Sequence, residues 1–272
     1  MLRMIMMLLI SHNIHASIFG PDNRVETKDA SLQAQRLGSS APALIQEKKI
    51  KNLGGGYFQL AGTPMKEMGL CAEEKFSDEQ QIATCSGSLI AKNKVLTAAH
   101  CFNESFPCEK YRIVFDYTKS GNLKLRDNQI YKCKKILHSK FDMFGEDLAV
   151  IELDRDVTDR EIISIDTKYR PIVGESLSMI GYPLGISQKA VEEGEVTKVN
   201  KKEVSFRHNL DSFSVNSGSP IFNQTGTQIG VLVRGTGANL VNHENKKCQV
   251  WHVEKGDGFA EANDLSPLKN KF

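Results

Sequence analysis

Val95-Leu96-Thr97-Ala98-Ala99-His100-Cys101 is the stretch of this sequence that says most about the fold, because an apolar, strand-like run leads directly into a histidine and a cysteine. A second cysteine opens a similar run upstream, Cys85-Ser86-Gly87-Ser88-Leu89-Ile90. A histidine that stands alone in a β protein usually has a structural role. The residues around His100 make it instead a candidate functional residue.

A candidate partner for His100 opens the run Asp147-Leu148-Ala149-Val150-Ile151-Glu152-Leu153. An acid that leads into so apolar a strand becomes buried, and a buried carboxylate is costly unless it is hydrogen-bonded. Orienting an imidazole is one way to satisfy it. The alternative role for Asp147 is to cap the strand.

The third candidate is Ser217, in Asn216-Ser217-Gly218-Ser219-Pro220-Ile221-Phe222-Asn223. A serine hydroxyl is a weak nucleophile at neutral pH, so it needs a base within hydrogen-bond reach and a third group that orients the base. His100 and Asp147 are the residue types that this chemistry requires.

Together, the three segments closely resemble the chymotrypsin-like serine proteases over residues 84–235, a little more than half of the chain. The resemblance implies that His100, Asp147 and Ser217 form a catalytic triad. Their order along the chain is that of this family and differs from the orders in subtilisin and the α/β-hydrolases. We therefore expect a serine endopeptidase that needs no cofactor.

Three further segments resemble the bacterial secreted branch that includes the glutamyl endopeptidases. They are the segment around Ser217, the segment Ile18-Phe19-Gly20-Pro21-Asp22-Asn23-Arg24 and the loop Gly181-Tyr182-Pro183-Leu184-Gly185. The residue before Ser217 is Asn216, whereas the animal enzymes have an Asp that pairs with a newly freed N-terminal amine. We expect no activation by that ion pair. The alternative for residues 18–24 is a surface arm without a role.

Specificity in the family depends on the residue six before the nucleophile, here Asp211, and on a neighbouring strand. The resemblance implies a pocket lined by Asp211, Ser212, Val233 and Gly235. A carboxylate at its floor would favour Arg or Lys before the cleaved bond. Alternatively, Asp211 is structural. Leu232 stands where glutamyl endopeptidases have a histidine, which argues against cleavage after Glu.

One residue departs from the family pattern. The resemblance places the oxyanion hole at the backbone N–H groups of Ser217 and of Val215, where the family normally has glycine. Valine resists a positive φ, and its branched side chain would crowd a substrate. Two alternatives stay open: a weak or inactive secreted pseudoprotease that acts as a protein-binding module, or a loop that has adapted to the valine.

The fold class expected from these features is all-β. Short β-rich runs separated by turn signals are typical of antiparallel barrels or sandwiches, and long amphipathic helices are scarce. The resemblance specifies two antiparallel six-stranded barrels with the active site in the cleft between them. The first would carry His100 and Asp147, and the second Ser217.

The chain divides into three predicted parts. Residues 1–16 have the layout of a short secretory signal, with Met4 to Ile10 too short to span a bilayer; a buried N-terminal helix is the alternative. Residues 17–56 are polar and read as an N-terminal arm or pro-segment. Residues 57–272 form the protease domain, with a barrel boundary near 160–172. We expect a secreted or periplasmic protein.

Six cysteines agree with an oxidising compartment. The family resemblance implies a disulfide between Cys85 and Cys101. Cys108 and Cys133 lie in successive β-rich runs that can be antiparallel neighbours, which leaves Cys71 for Cys248. The last four cysteines allow three connectivities.

Other partner classes lose support from the composition. The 35 Lys and Arg against 33 Asp and Glu give a net charge of +2 without a basic patch for nucleic acid. The seven histidines include no paired metal-ligand spacing. We expect a monomer that acts on protein or peptide substrates and has no membrane span.

Overall fold

Nearly all regular structure in the chain is β-sheet. The computed structural model describes residues 17–119, 123–200 and 202–271, so the predicted signal at residues 1–16 lies outside it. Within those ranges one α-helix occurs, α1 (Leu32–Gly38), which Ser31 caps by accepting a hydrogen bond from the N–H of Ala34. Short 3₁₀ turns cover Thr27–Asp29, Glu47–Lys49, Met65–Met68, Ala99–Cys101, Cys108–Lys110, Asp127–Gln129, Pro183–Gly185 and Ser266–Leu268.

The strands follow one another with short connections. Those of the first part are β1 (Val25–Glu26), β2 (Ala43–Gln46), β3 (Ile50–Gly54), β4 (Tyr57–Leu60), β5 (Thr63–Pro64), β6 (Gln80–Gln81), β7 (Cys85–Ser86), β8 (Ser88–Ala91), β9 (Lys94–Thr97), β10 (Tyr111–Val114), β11 (Lys124–Arg126), β12 (Ile130–Phe141) and β13 (Asp147–Leu153). Those of the second part are β14 (Ser176–Gly181), β15 (Lys189–Asn200), β16 (Ser205–His208), β17 (Pro220–Phe222), β18 (Gln228–Gly235), β19 (Leu240–Asn242), β20 (Gln249–Trp251) and β21 (Ala260–Asp264).

The first barrel is a nearly closed antiparallel sheet in the order β7-β2-β10-β12-β13-β9-β8. Its central strand β13 buries both faces, because one faces the barrel interior and the other the second barrel. Val231 and Val233 of the second barrel join the same apolar cluster. The two barrels therefore share a core, which fixes their relative position.

The second barrel is closed. Its strands run in the order β15-β14-β17-β18-β21-β16, and β16 pairs back onto β15. The side chains of Phe206, Ile221 and Leu232 fill its interior. The all-β, two-barrel fold predicted from the sequence is confirmed, with seven strands rather than six in the first barrel.

The N-terminal part of the chain differs from the predicted arm. β2 pairs with both β10 and β7, and its Leu44 and Ile45 are fully buried. β1 adds to the second barrel beside β15. A domain boundary at residue 57 is therefore wrong, because strands before it belong to both barrels. The polar composition around β2 hides a strand of only four residues.

Three disulfides join Cys71 to Cys248, Cys85 to Cys101, and Cys108 to Cys133. These are the predicted pairs. Cys108 and Cys133 come together because β10, which follows Cys108, pairs with β12, which contains Cys133. The first of the three connects two segments 177 residues apart.

Candidate active site

His100 and Asp147 meet at one end of the first barrel. β9 delivers His100 into a 3₁₀ turn, and β13, paired with β9, begins at Asp147. Nδ1 of His100 lies 2.6 Å from Oδ2 of Asp147, and the backbone N–H of His100 donates to Oδ1 at 2.9 Å. Two contacts to one carboxylate fix both the ring and its backbone. Nδ1 thus carries the proton that Asp147 accepts, which leaves Nε2 free to act as a base.

The second barrel orients Asp147. The backbone N–H of Asp147 donates to Oδ1 of Asn263 at 2.6 Å, and Nδ2 of Asn263 donates to the carbonyl of Gly145 at 3.1 Å. Asn263 is fully buried in β21. The carboxylate of Asp147 is itself almost completely buried, so its hydrogen bonds are what make its ionised form tolerable.

Ser217 lies at the junction of the two barrels. Its carbonyl oxygen accepts a hydrogen bond from the N–H of Ser86 at 2.8 Å and lies 4.0 Å from Sγ of Cys101, the residue after His100. The Cys85–Cys101 disulfide holds β7 against the turn that carries His100. The nucleophile candidate and the histidine are therefore fixed to the same short piece of the first barrel.

Gly218 explains how Ser217 comes so close to the first barrel. Its φ is 89°, and a Cβ at this position would overlap the carbonyl oxygen of Ser86 and Oγ1 of Thr97. Only glycine combines this backbone conformation with so close an approach. The hydroxyl of Thr97 donates to that same carbonyl at 2.7 Å.

Val215 adopts the left-handed conformation that a glycine would take without cost, with φ 75°. Its side chain packs against the apolar cluster around Tyr117 and Tyr182, and its carbonyl accepts a hydrogen bond from Oγ of Ser86 at 3.4 Å. The expectation that valine would avoid a positive φ here is wrong. The surrounding packing supports a conformation that costs about 1–3 kcal/mol.

Asp211 does not face an open pocket. It is 0% exposed. Its Oδ1 accepts the N–H of Phe19 at 2.7 Å, and its Oδ2 accepts the N–H of Asn23 at 3.1 Å. A carboxylate used in this way binds the chain's own N-terminal segment. The geometry thus favours the structural alternative for Asp211 over a pocket floor that receives a cationic side chain.

The other predicted pocket residues are also largely enclosed. Ser212 is fully buried, and its N–H donates to the carbonyl of Ser17 at 3.2 Å. The side chain of Val233 lies in the core between the barrels, so only its backbone can reach a substrate. Gly235 is half-buried and pairs with Ala260.

Sequence reasoning missed Asn263, Ser86 and Asn239. Oδ1 of Asn239 accepts the N–H of Ser214 at 2.9 Å, close to the candidate oxyanion hole. All three act through contacts between segments far apart in the sequence. No local pattern distinguishes them from other polar residues at strand ends.

Burial raises the pKa of Asp211 to about 6, while the hydrogen bonds from Phe19 and Asn23 act in the opposite direction. A pKa raised in the folded state stabilises the protein below the unfolded value of 3.8, and this stabilisation is lost as the pH rises to about 6. We therefore expect Asp211→Asn to gain about 3 kcal/mol relative to the wild type between pH 4 and pH 7. Urea denaturation across this range measures the difference, and a difference independent of pH would contradict the buried ionised carboxylate.

The sulfur atoms of Cys85 and Cys101 lie near His100 in a cluster with the spacing of a metal site. They are bonded to each other, so neither is a thiolate that can bind a metal.

The sequence profile of the trypsin-like peptidase domain matches residues 85–231, more than half of the chain. Tissue-type plasminogen activator from Sus scrofa is 29% identical over 114 residues, which are 41% of this chain and 20% of that protein. The chain thus aligns with about a fifth of the length of this curated relative.

Solved structures with the same fold come from bacteria and from an animal. Neuropsin, a serine protease of mouse brain, gives a TM-score of 0.54 at 14% identity, covering 85% of this chain and 92% of its own. The VesB protease of Vibrio cholerae gives 0.54 at 14% identity, covering 91% and 65%. A serine endoprotease from Yersinia pestis gives 0.50 at 15% identity, covering 86% and 62%. The chain belongs to the trypsin-like peptidase family, the serine endopeptidases with the chymotrypsin-like two-barrel fold.

Proposed function

We propose that this chain hydrolyses peptide bonds through a triad of Ser217, His100 and Asp147. The observation that carries the proposal is the pair of contacts from Asp147 to the ring and the backbone of His100, beside the segment that holds Ser217. A buried aspartate that fixes an imidazole in one tautomer is the arrangement that nucleophilic catalysis by serine requires.

In the proposed reaction, Nε2 of His100 takes the proton of the Ser217 hydroxyl as Oγ attacks the scissile carbonyl carbon. The same nitrogen then donates the proton to the leaving amine, which leaves an acyl group on Ser217. A water molecule deprotonated by His100 releases the acid in the second half of the reaction. Asp147 keeps its negative charge throughout and stabilises the imidazolium.

A serine-directed organophosphonate tests the proposal on the purified protein. We expect modification of Ser217, located by mass spectrometry of the digested product. Absence of labelling under conditions that label a control protease would contradict the proposal. It would favour the alternative in which the fold serves only to bind other proteins.

The preference for Arg or Lys stays a prediction from the position of Asp211, and the contacts of Asp211 with Phe19 and Asn23 count against it. A cleavage profile on a peptide mixture decides between the two roles. With its carboxylate buried as described, we expect no preference of several orders of magnitude for Arg or Lys. Such a preference, lost in Asp211→Ser, would restore the pocket-floor role.

Val215→Gly tests the oxyanion hole. Because Val215 already has the positive φ of a glycine, we expect kcat to change by less than about 10-fold, whereas restoring a missing oxyanion donor would raise it by roughly 10²- to 10³-fold. The turnover of one ester substrate measures this difference. Val204→Gly is the matched control, since Val204 also has a positive φ of 49°. A rise of 10²-fold or more in Val215→Gly alone would show that the valine impairs the hole.

We propose that the protein works outside the cytoplasm, in the periplasm or after secretion, as a monomer. The three disulfides support an oxidising compartment. In the described part of the chain, no helix has the length and apolar character needed to cross a membrane. Comparing the N-terminus of the exported protein with Ser17 tests the predicted signal cleavage.

A further inference from the structure

Residues 17–24, called here the N-terminal segment, run along the loop that precedes the nucleophile. This nucleophile loop, residues 211–217, has no strand or helix of its own. It carries both proposed oxyanion donors, one of them on Val215 with its costly positive φ. Something outside the loop must therefore hold its shape.

The buried ion pair that orders this loop in animal relatives is not open to this chain, because Asn216 stands in place of the aspartate. The carboxamide of Asn216 is nearly fully buried, and within the described ranges its Oδ1 has no hydrogen-bond partner. A neutral amide contributes no ion pair with an amine. The order of the loop has to come from other contacts.

The N-terminal segment supplies three backbone contacts to the start of the loop. Asp211 accepts the N–H groups of Phe19 and Asn23, and the N–H of Ser212 donates to the carbonyl of Ser17. Ile18 also bonds to the backbone of His252 and Glu254, which fixes the segment to the second barrel. These bonds hold two consecutive loop residues.

Arg24 provides the side-chain contact. Its guanidinium is 0% exposed, and its Cζ lies 4.3 Å from the ring centre of Phe213, 4.1 Å from that of Trp251 and 5.2 Å from that of Phe76. Asp22 pairs with it through two hydrogen bonds, from Nε at 2.9 Å and from Nη2 at 2.8 Å. A planar cation stacked on aromatic faces fixes the positions of those rings. Phe213 lies two residues before Val215.

The charge of Asp22 fits this role. Burial acts to raise its pKa, but the hydrogen bonds and the charge of Arg24 hold the pKa below its usual value. Asp22 therefore stays ionised and keeps the guanidinium in place at neutral and mildly acidic pH.

We infer that Arg24 is a positioning residue for catalysis: through Phe213, and together with the bonds to Asp211 and Ser212, the N-terminal segment holds the nucleophile loop in the shape that forms the oxyanion hole. The inference rests on the proposed function. It assigns to internal residues of the segment, rather than to a free amine, the ordering of the loop.

Arg24→Gln tests the inference in the full chain. We expect kcat to fall by roughly 10²-fold with KM changed less than about 3-fold, since a misplaced oxyanion donor weakens binding of the transition state more than that of the substrate. Hydrogen exchange of the peptide containing residues 211–219 should become faster. Trp251 is the only tryptophan of the chain, so its fluorescence should change when the guanidinium leaves its ring.

Two further variants keep the test decisive. Arg36→Gln, which removes an exposed arginine paired with Glu161 on the surface, should leave kcat and exchange unchanged. Phe213→Leu removes the same contact from the loop side and should repeat the loss in kcat and the faster exchange, and it decides the matter if Arg24→Gln does not fold.

Wild-type kcat and wild-type exchange of residues 211–219 in a folded Arg24→Gln protein would overturn the inference. Failure of the proposed function has a different signature: the wild type itself would not be labelled at Ser217. In that case, the exchange measurement still decides whether Arg24 orders the loop.

Discussion

Ser217→Ala is expected to lower kcat by roughly 10⁵- to 10⁶-fold while KM for a peptide ester stays nearly constant. The hydroxyl is the atom that forms the acyl-enzyme, so without it only the oxyanion hole and substrate binding remain to speed hydrolysis. The residual rate should stay above that of the uncatalysed reaction by about 10³-fold. Steady-state kinetics with active-site titration measures the change.

The stability of this variant should change little, because the fixed part of Ser217 is its carbonyl, bonded to Ser86, and not its hydroxyl. Ser164→Ala, at an exposed serine in the connection between the barrels, is the matched control and should keep full activity. A loss of less than 10²-fold in Ser217→Ala would mean that another group attacks the substrate.

The triad also predicts strong non-additivity. His100→Ala should cost nearly as much as Ser217→Ala, and the double variant should cost little more than either, because the serine cannot react without its base. Additive losses would indicate that His100 and Ser217 act in separate steps. Comparing the three variants on one substrate distinguishes these outcomes.

Much of the fold and of the candidate site can be predicted from the sequence, because the residues concerned lie in short continuous segments. His100 sits in a turn directly after a strand, and Asp147 opens the strand that pairs with it, so the pattern of each segment already contains their geometry. The strand runs are visible for the same reason, since their apolar residues fill the barrels.

Asp211 shows where this reasoning ends. Its place six residues before Ser217 puts it in the correct loop, but the partner of its carboxylate is the backbone of Phe19 and Asn23, nearly two hundred residues away. Backbone donors have no signature in the sequence. The same is true of Asn263, whose contact with Asp147 joins the two barrels.

The N-terminal strands fail for a related reason. β2 is only four residues long and lies among polar residues, and its burial depends on pairing with β10 and β7. Periodicity is not informative over so short a run. What makes the segment part of the core is the space that the first barrel leaves for it, a property of the whole fold.

Removing the Cys71–Cys248 disulfide is expected to lower the free energy of unfolding by about 5 kcal/mol, because it releases the longest loop that a disulfide closes in the described chain. The Cys108–Cys133 bond closes a loop with a separation of only 25 residues and should contribute about 3.5 kcal/mol on the same chain-entropy account. Urea denaturation of the two double-serine variants measures both losses. A smaller loss for Cys71 and Cys248 than for Cys108 and Cys133 would contradict the ranking.

The same bond should also affect catalysis. Cys71 and Cys248 hold together the two segments that carry Phe76 and Trp251, and the N–H of Cys71 donates to the carbonyl of Gln249 at 2.8 Å. If Arg24 positions the nucleophile loop through these rings, the folded variant without this disulfide should lose kcat and Trp251 should change its fluorescence. The variant without Cys108–Cys133 is the control, because that bond lies in the first barrel and should leave both quantities unchanged. An equal loss of kcat in the two variants would mean that the disulfides act on activity only through global stability.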